Sequence, residues 1–241
     1  MPNMPAHPLR VAVLANRKYS VLADDGAPVD ALAEYDSEET VTSILDALRQ
    51  AGYASFFLEA DATLLDTIRE TAPDICFNIA EGLRGDARES HVPALLEMLG
   101  IPYTGSTVTT HAISLDKAAT KQIWRDSGLP TAAFQLFRHI ETPLRGDMAF
   151  PLFVKPVREG SGMGINAHSI VRNEQALRAQ VQWVVETYRQ PALVERYLPG
   201  REFTVGLVGN GLAPGEVPVS SFYDTRGYHL FPVLEIDTGK G

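Results

Sequence analysis

From Arg10 to Ile79 the chain alternates short apolar runs with amphipathic segments, and no other feature limits its fold as tightly. Arg10-Val-Ala-Val-Leu-Ala15 is a continuous apolar run, the pattern of a parallel strand covered on both faces. The stretch from Asp24 to Asp30 contains Gly, Asp and Pro and reads as a loop. Ser37 is suited to cap a helix, because Glu38 and Glu39 then sit at its positive end. That helix carries Val41, Ile44, Leu45 and Leu48 on one face and ends at Gly52, a residue fit for the left-handed turn that follows a helix. Ala54 to Leu58 repeats the strand pattern, Ala62 to Glu70 the helical one, and Ile75 to Ile79 a third strand. Strands spaced by helices specify a parallel sheet. His91 to Leu99 is a further amphipathic helix closed by Gly100, and Ile101 to Ser106 is an extended piece with a turn, so a first boundary falls near Tyr103.

The second half changes character. Ser114 to Ser127 is expected to form one helix with Leu115, Ala118, Ala119 and Ile123 inward, stopped by Gly128-Leu-Pro130. Strands are expected at Phe134 to Phe137, Pro151 to Val157, Ile165 to Val171, Ala192 to Tyr197, Glu202 to Val208 and Val217 to Phe222. One helix, Glu174 to Tyr188, interrupts them, which describes an antiparallel α+β layer.

Composition narrows the partners. In 241 residues, 45% hydrophobic content is enough to bury a core in each of two or three subdomains. A net charge of −9 opposes binding to nucleic acid or an anionic membrane surface. The one cysteine, Cys76, lies in an apolar run and reads as a small buried hydrophobe. No apolar run approaches the ~18 residues that span a bilayer, and Met1 to Arg10 lacks the apolar centre of a signal peptide. The expected location is the cytoplasm.

Three clusters carry chemistry. Pro151-Leu-Phe-Val-Lys-Pro-Val-Arg-Glu-Gly-Ser-Gly-Met-Gly164 ends an apolar strand on Lys155 and continues into a loop with glycines at 160, 162 and 164. Glycines let backbone N–H groups converge on an anion, and a strand-end lysine adds positive charge, so the segment suits phosphate. Ser161 would add a hydroxyl donor. No Gly-Lys-Ser/Thr closes the loop and no helix follows at once, which separates it from P-loop and dinucleotide folds; a plain hairpin is the alternative. Leu193 to Val205 reads as two strands joined by a Pro-Gly turn. It is either a hairpin with solvated charges or a purine site, with Glu195 at the base edge, Tyr197 and Leu198 on its faces and Glu202 at the ribose. In Ser114-Leu-Asp-Lys-Ala-Ala-Thr-Lys121, Lys117 and Lys121 share a helix face, a pattern that is usually solvated surface.

In this order, "LLEMLGIPYTGS", "SLDKAATKQIWRDSGLP", "FVKPVREGSGMG" and "VERYLPGREFTV" resemble the D-alanine–D-alanine ligase family of the ATP-grasp superfamily. The likeness runs from Arg10 to about Ile236. It implies an α/β fold: a Rossmann-like pre-ATP-grasp substrate domain over 1–104, a central ATP-grasp subdomain with the Gly-rich loop over 105–191, and the start of a C-terminal subdomain over 192–241. It implies an ATP-dependent ligase that joins two amino acids through an acyl phosphate, with small-molecule substrates and a homodimer through the first domain. Lys117 and Lys155 would contact ATP phosphates, and the loop Glu159, Gly160, Ser161, Gly162 and Gly164 would close over them, with Ser161 the candidate catalytic residue. Glu195, Tyr197 and Leu198 would form the adenine hinge and Glu202 would take the ribose.

Two departures accompany the resemblance. Glu81 stands roughly where the family has a histidine near its substrate, and the glutamate that holds the first substrate's ammonium has candidates in Glu34, Glu38 and Glu39. The chain also ends at Asp237-Thr-Gly-Lys-Gly241, before the segment that holds the family's magnesium ligands, so those ligands are expected beyond it. The six histidines show no metal spacing, and Asp86 with Glu89 reads as a solvated helix start. Strands near Val217 to Ile236 are then expected to lack neighbours. The alternatives are a noncatalytic nucleotide-binding remnant and a ligase for a different amino acid or peptide.

Overall fold

The computed structural model describes residues 7–19 and 26–237. Met1 to Ala6, the first part of the Asp24 to Asp30 loop and the terminal Thr238 to Gly241 lie outside the described residues, and the readings made on them with it. The chain divides into two compact units, Met1–Tyr197 and Leu198–Gly241.

The first unit opens with the expected α/β layer. β1 (Arg10–Ala15) pairs in parallel with β2 (Ala54–Glu59) on one side and β3 (Ile75–Asn78) on the other. Alternate residues of β1 serve opposite faces, as the period of two requires. Ala12 and Leu14 pack with Leu64 and Ile68 of α2 (Leu64–Thr71) and with Val92 and Leu96 of α3 (His91–Leu99). Val13 and Ala15 pack with Val41 and Leu45 of α1 (Glu38–Gln50). Ser37 caps α1, its hydroxyl accepting from the Thr40 N–H, and Gly100 closes α3 at φ 68°. Cys76 is fully buried on β3. The α2 start falls two residues later than expected, because the Asp61 carboxylate takes the Thr63 N–H in a turn first.

The expected single helix over 114–127 is two. α4 (Val108–Leu115) and α5 (Lys117–Asp126) break at Asp116, whose backbone is extended (φ −82°, ψ 97°) and whose carboxylate accepts from the N–H groups of Ala118 and Ala119. An aspartate that caps a new helix cannot continue the old one. The break also rotates the faces: Ile123, expected inward, is exposed, while Lys121 is buried.

The second layer of this unit is a four-stranded antiparallel sheet in the order β4 (Phe134–Phe137), β7 (Ala192–Arg196), β5 (Leu152–Pro156), β6 (Ile170–Val171). α6 (Glu174–Tyr188) covers one face, where Leu177, Val181 and Val184 meet Phe137, Leu152, Val154 and Val194. On the other face Ala118 of α5 packs against Phe134, Val157 and Leu193. β6 is shorter than expected because the Asn166 carboxamide accepts from the His168 N–H and folds 166–169 into a turn.

The second unit holds two antiparallel pairs, β8 (Glu202–Thr204) with β11 (Leu234–Ile236) and β9 (Leu207–Gly209) with β10 (Tyr228–Leu230). The strand expected over 202–208 is thus split, and 217–222, expected as a strand, forms bends and turns. The expected hairpin over 193–205 does not form either, since β7 pairs with β4 and β5 while β8 pairs with β11. Phe203, Leu207, Leu230, Leu234 and Ile236 are exposed.

Candidate functional site

Register brings the first group of candidates together. On the antiparallel sheet Glu195 of β7 lies opposite Phe134 of β4 and Phe153 of β5, and directly opposed residues share a face. Two residues on, Tyr197 stacks on Phe153 with ring centroids 6.4 Å apart, and Lys155 is two residues on from Phe153. Lys155 Nζ lies 2.6 Å from Glu195 Oε1 and Lys121 Nζ 2.9 Å from Glu195 Oε2. Lys121 also donates to Thr131 Oγ1 at 2.7 Å. Burial pushes the Glu195 carboxyl up, but the two lysines outweigh it and hold the group below the usual carboxylate range. The reading of Lys117 and Lys121 as solvated surface therefore gives way: Lys121 is inside, paired with a strand on the neighbouring sheet.

The Gly-rich loop is the second group. Lys117, the first residue of α5, donates its ammonium to the Glu159 carbonyl and its backbone N–H to the Val157 carbonyl at 3.0 Å. Burial, and then the charge of Lys155, hold the Lys117 ammonium below its ordinary range. An anion beside the Lys117 ammonium would relieve both the burial and the neighbouring positive charge. Ser161, at φ 46°, is exposed, and Gly162 and Gly164 lie at φ 74° and 72°. At Gly164 a Cβ would come within 2.3 Å of the Pro156 ring.

The loop is anchored by residues that sequence reasoning did not select. Arg88 donates to Glu34 Oε2 at 2.7 Å, to Glu159 Oε2 at 2.9 Å and to the Arg158 carbonyl at 3.0 Å. Gln190 donates to Glu159 Oε1 at 2.6 Å. The Gly160 N–H donates to Glu34, and the Gly164 N–H to Asp30 Oδ2 at 2.9 Å, where Tyr188 also donates at 2.8 Å. Of the three glutamates considered for an ammonium, only Glu34 reaches this region; Glu38 pairs with Arg17 at 2.9 Å, and both Glu38 and Glu39 are exposed. A cavity of about 360 Å³ lies here, with Glu34, Tyr35, Arg88, Glu159, Met163 and Tyr188 in its wall. Arg88 opens a three-residue 3-10 helix (Arg88–Ser90) and Asp30 lies in a turn, and segments this short show no helical or strand period, which is why pattern reading passes over them.

Glu81 is half-buried, and burial, followed by the charges of Glu89, Glu34 and Asp36, pushes its carboxyl up to about 7. Asp86 is solvated as expected and pairs with Arg158 at 3.1 Å, whereas Glu89 is partly buried, 3.6 Å from His111 Nδ1. Among the described residues no three His, Cys, Asp or Glu side chains gather as a metal-ligand set. Leu198 and Glu202 belong to the second unit, where both are exposed and Glu202 lies opposite Ile236.

The family model "D-ala D-ala ligase C-terminus" matches residues 123–228. An uncharacterized protein of Sinorhizobium fredii, y4sG, is 36% identical over 94% of this chain and 68% of its own length. The D-alanine–D-alanine ligases of Granulibacter bethesdensis and Chelativorans sp. are 36% and 37% identical over 78% and 76% of this chain, and the matches span 62% and 59% of those enzymes. The crystal structure of D-alanine–D-alanine ligase from Bacillus anthracis complexed with ATP shares the fold at a TM-score of 0.64 and 20% identity, over 97% of this chain and 67% of that one. The chain thus spans about three fifths of the length of those two ligases. Fold, ordered motifs and relatives agree, and the chain belongs to the D-alanine–D-alanine ligase family.

Proposed function

We propose that the chain is the ATP-handling part of an ATP-dependent carboxylate–amine ligase of the D-alanine–D-alanine ligase type. The observation that carries the reading is the pair of neighbouring ammonium groups, Lys117 and Lys155, beside a loop whose Gly160 and Gly164 N–H groups already hold carboxylates. Lys155 and the loop N–H groups hold carboxylates and Lys117 holds a carbonyl, and such donors are of the kind that hold phosphate oxygens. Phe153 and Tyr197 offer apolar walls for a base, with Glu195 at its edge, and Ser161 brings a free hydroxyl to the loop. For Leu198 and Glu202 the adenine and ribose roles rest on the family resemblance alone, as do the domain limits 1–104, 105–191 and 192–241.

In the proposed reaction a substrate carboxylate attacks the γ-phosphorus of ATP, ADP leaves, and the amine of a second amino acid displaces inorganic phosphate from the acyl phosphate. Charge neutralisation and alignment are the main demands of phosphoryl transfer. Lys117 and Lys155 answer the first and the anchored loop the second. Magnesium would arrive with the triphosphate and supply further positive charge there. A cytoplasmic location and a homodimer go with this reading; no helix among the described residues is long and apolar enough to cross a membrane.

A second reading, a ligase for another amino acid, is favoured by Glu81, a half-buried acid where the family has a histidine. The test is ATP binding and magnesium-dependent phosphate release with D-alanine and then other amino acids, on this chain beside Lys155→Met. Binding lost in Lys155→Met supports the nucleotide site, and release with D-alanine supports the family substrate. Binding without release under any amino acid supports a noncatalytic chain. Equal binding by both proteins overturns the site.

A further inference from the structure

Three charges meet on one sheet face, and they are not equivalent. The Lys121 ammonium has the Glu195 carboxylate at 2.9 Å, the Thr131 hydroxyl at 2.7 Å and the Phe134 ring with its centroid at 5.4 Å, and its side chain is 10% exposed. The Lys155 ammonium has Glu195 at 2.6 Å and the Phe153 ring centroid at 5.7 Å, and its side chain is 22% exposed. The charge of Lys155 also acts on Lys117, whereas Lys121 is paired only toward the sheet and Thr131. One lysine is thus held on three sides and the other on two, and the second is the one whose charge acts on Lys117. An anion beside Lys117 and Lys155 would draw Lys155 away from Glu195. A buried carboxylate that loses its partner is costly, and a second partner already in place removes that cost.

We propose that Lys121 is a positioning residue: it keeps Glu195 ionised and aimed into the site when Lys155 is drawn to a nucleotide phosphate. The inference rests on the nucleotide reading of the same site and assigns a role to a lysine that the reading does not use. Each Glu195 oxygen has lone pairs beyond the one given to its lysine, so a carboxylate held by Lys121 still accepts from the exocyclic amine of a base. Only Lys121 and Lys155 are ion-paired with Glu195 among the described residues.

Carbon-13 NMR titration of the Glu195 carboxyl in the parent chain, Lys155→Met, Lys121→Met and the double variant tests the hold directly. With Lys155 removed, Glu195 continues to titrate below the ordinary glutamate range, and only the double variant carries it above that range. The idea is overturned if Lys155→Met alone raises Glu195 as far as the double variant does. Calorimetric titration with ATP is the second arm. Lys121→Met weakens binding by about tenfold or more, equivalent to ~1.4 kcal/mol, and Lys121→Arg recovers most of it because the guanidinium still reaches Glu195. ATP affinity unchanged in Lys121→Met, beside a parent chain that binds, also overturns it. A parent chain that does not bind ATP defeats the nucleotide reading instead, and the NMR titration then still decides whether Lys121 holds Glu195. If Lys121→Met does not fold, the Lys155→Met titration and the Lys121→Arg affinity carry the decision.

Discussion

Arg88 Nη2 stands 2.7 Å from Glu34 Oε2, and through that contact the turn before α3 holds the segment before α1 against the Gly-rich loop. The side chains are 11% and 5% exposed, and the same nitrogen reaches Glu159 at 2.9 Å. Removing the guanidinium leaves two carboxylates close together and out of water. Arg88→Ala is therefore expected to cost about 3–5 kcal/mol in urea unfolding and to speed exchange of the Gly160 amide. A loss below about 1 kcal/mol, the scale of an exposed pair, would show that the network carries little.

Glu81 gives the fold a pH dependence. Its folded-state value of about 7 stands above the ordinary 4.5, because burial first and neighbouring carboxylates second disfavour the charge. The folded chain thus holds this proton more tightly than the unfolded chain. The resulting stability is complete below about 4.5 and is lost as pH rises through about 7, a contribution of about 3 kcal/mol. Glu81→Gln keeps the shape without the charge, so it should gain stability over the parent chain between about pH 5 and 8. Chemical denaturation across that range would refute the assignment if the two profiles ran parallel.

The loop glycines should not be equivalent. A Cβ at Gly162 meets nothing, so Gly162→Ala bears only the left-handed backbone, about 1–2 kcal/mol. Gly164 has the same handedness and a Pro156 ring in the way, so Gly164→Ala should cost more and disturb the turn itself. At Gly160 the obstacle is the far end of the flexible Glu34 side chain, 2.6 Å from the Cβ position. Gly160→Ala should therefore displace Glu34 rather than the backbone. Thermal unfolding should order the losses with Gly164→Ala largest; equal losses in Gly162→Ala and Gly164→Ala would mean that the backbone conformation alone decides.

How much of this was legible follows from which signals are local. The alternation in β1 foretold a strand covered on both faces, and Ala12 and Val13 do face different helices. Lys155 and the loop glycines were found because a strand-end lysine followed by glycines is itself a local pattern. Lys121 was misjudged because helix spacing gives a face but not what covers it; the break at Asp116 turned that face onto Glu195, 74 residues away in the chain. The expected hairpin failed for a related reason. A Pro-Gly turn between two strand patterns says that the chain changes direction, but the partners of β7 are β4 and β5, chosen by burial of Leu193 and Val194. Arg88, Asp30 and Gln190 act through long-range hydrogen bonds that leave no period in the sequence.

Asp116 links local structure to the site most directly, and its substitution separates two roles. Its Oδ1 accepts from Ala118 and Ala119 at 3.0 and 2.9 Å, which starts α5 and sets Lys117 as the first helical residue. Its Oδ2 lies 3.1 Å from Arg158 Nε. Asparagine caps a helix about as well as aspartate, so Asp116→Asn keeps the cap and loses only a charge that Asp86 also offers to Arg158. Asp116→Ala loses both, at about 1–2 kcal/mol, and frees α4 to run on into α5. Lys117 would then leave the Glu159 carbonyl. The expected order is therefore parent chain near Asp116→Asn, with Asp116→Ala lower in stability and lower still in ATP affinity. Equal affinity in Asp116→Ala would mean that the loop, and not the cap, sets the position of Lys117.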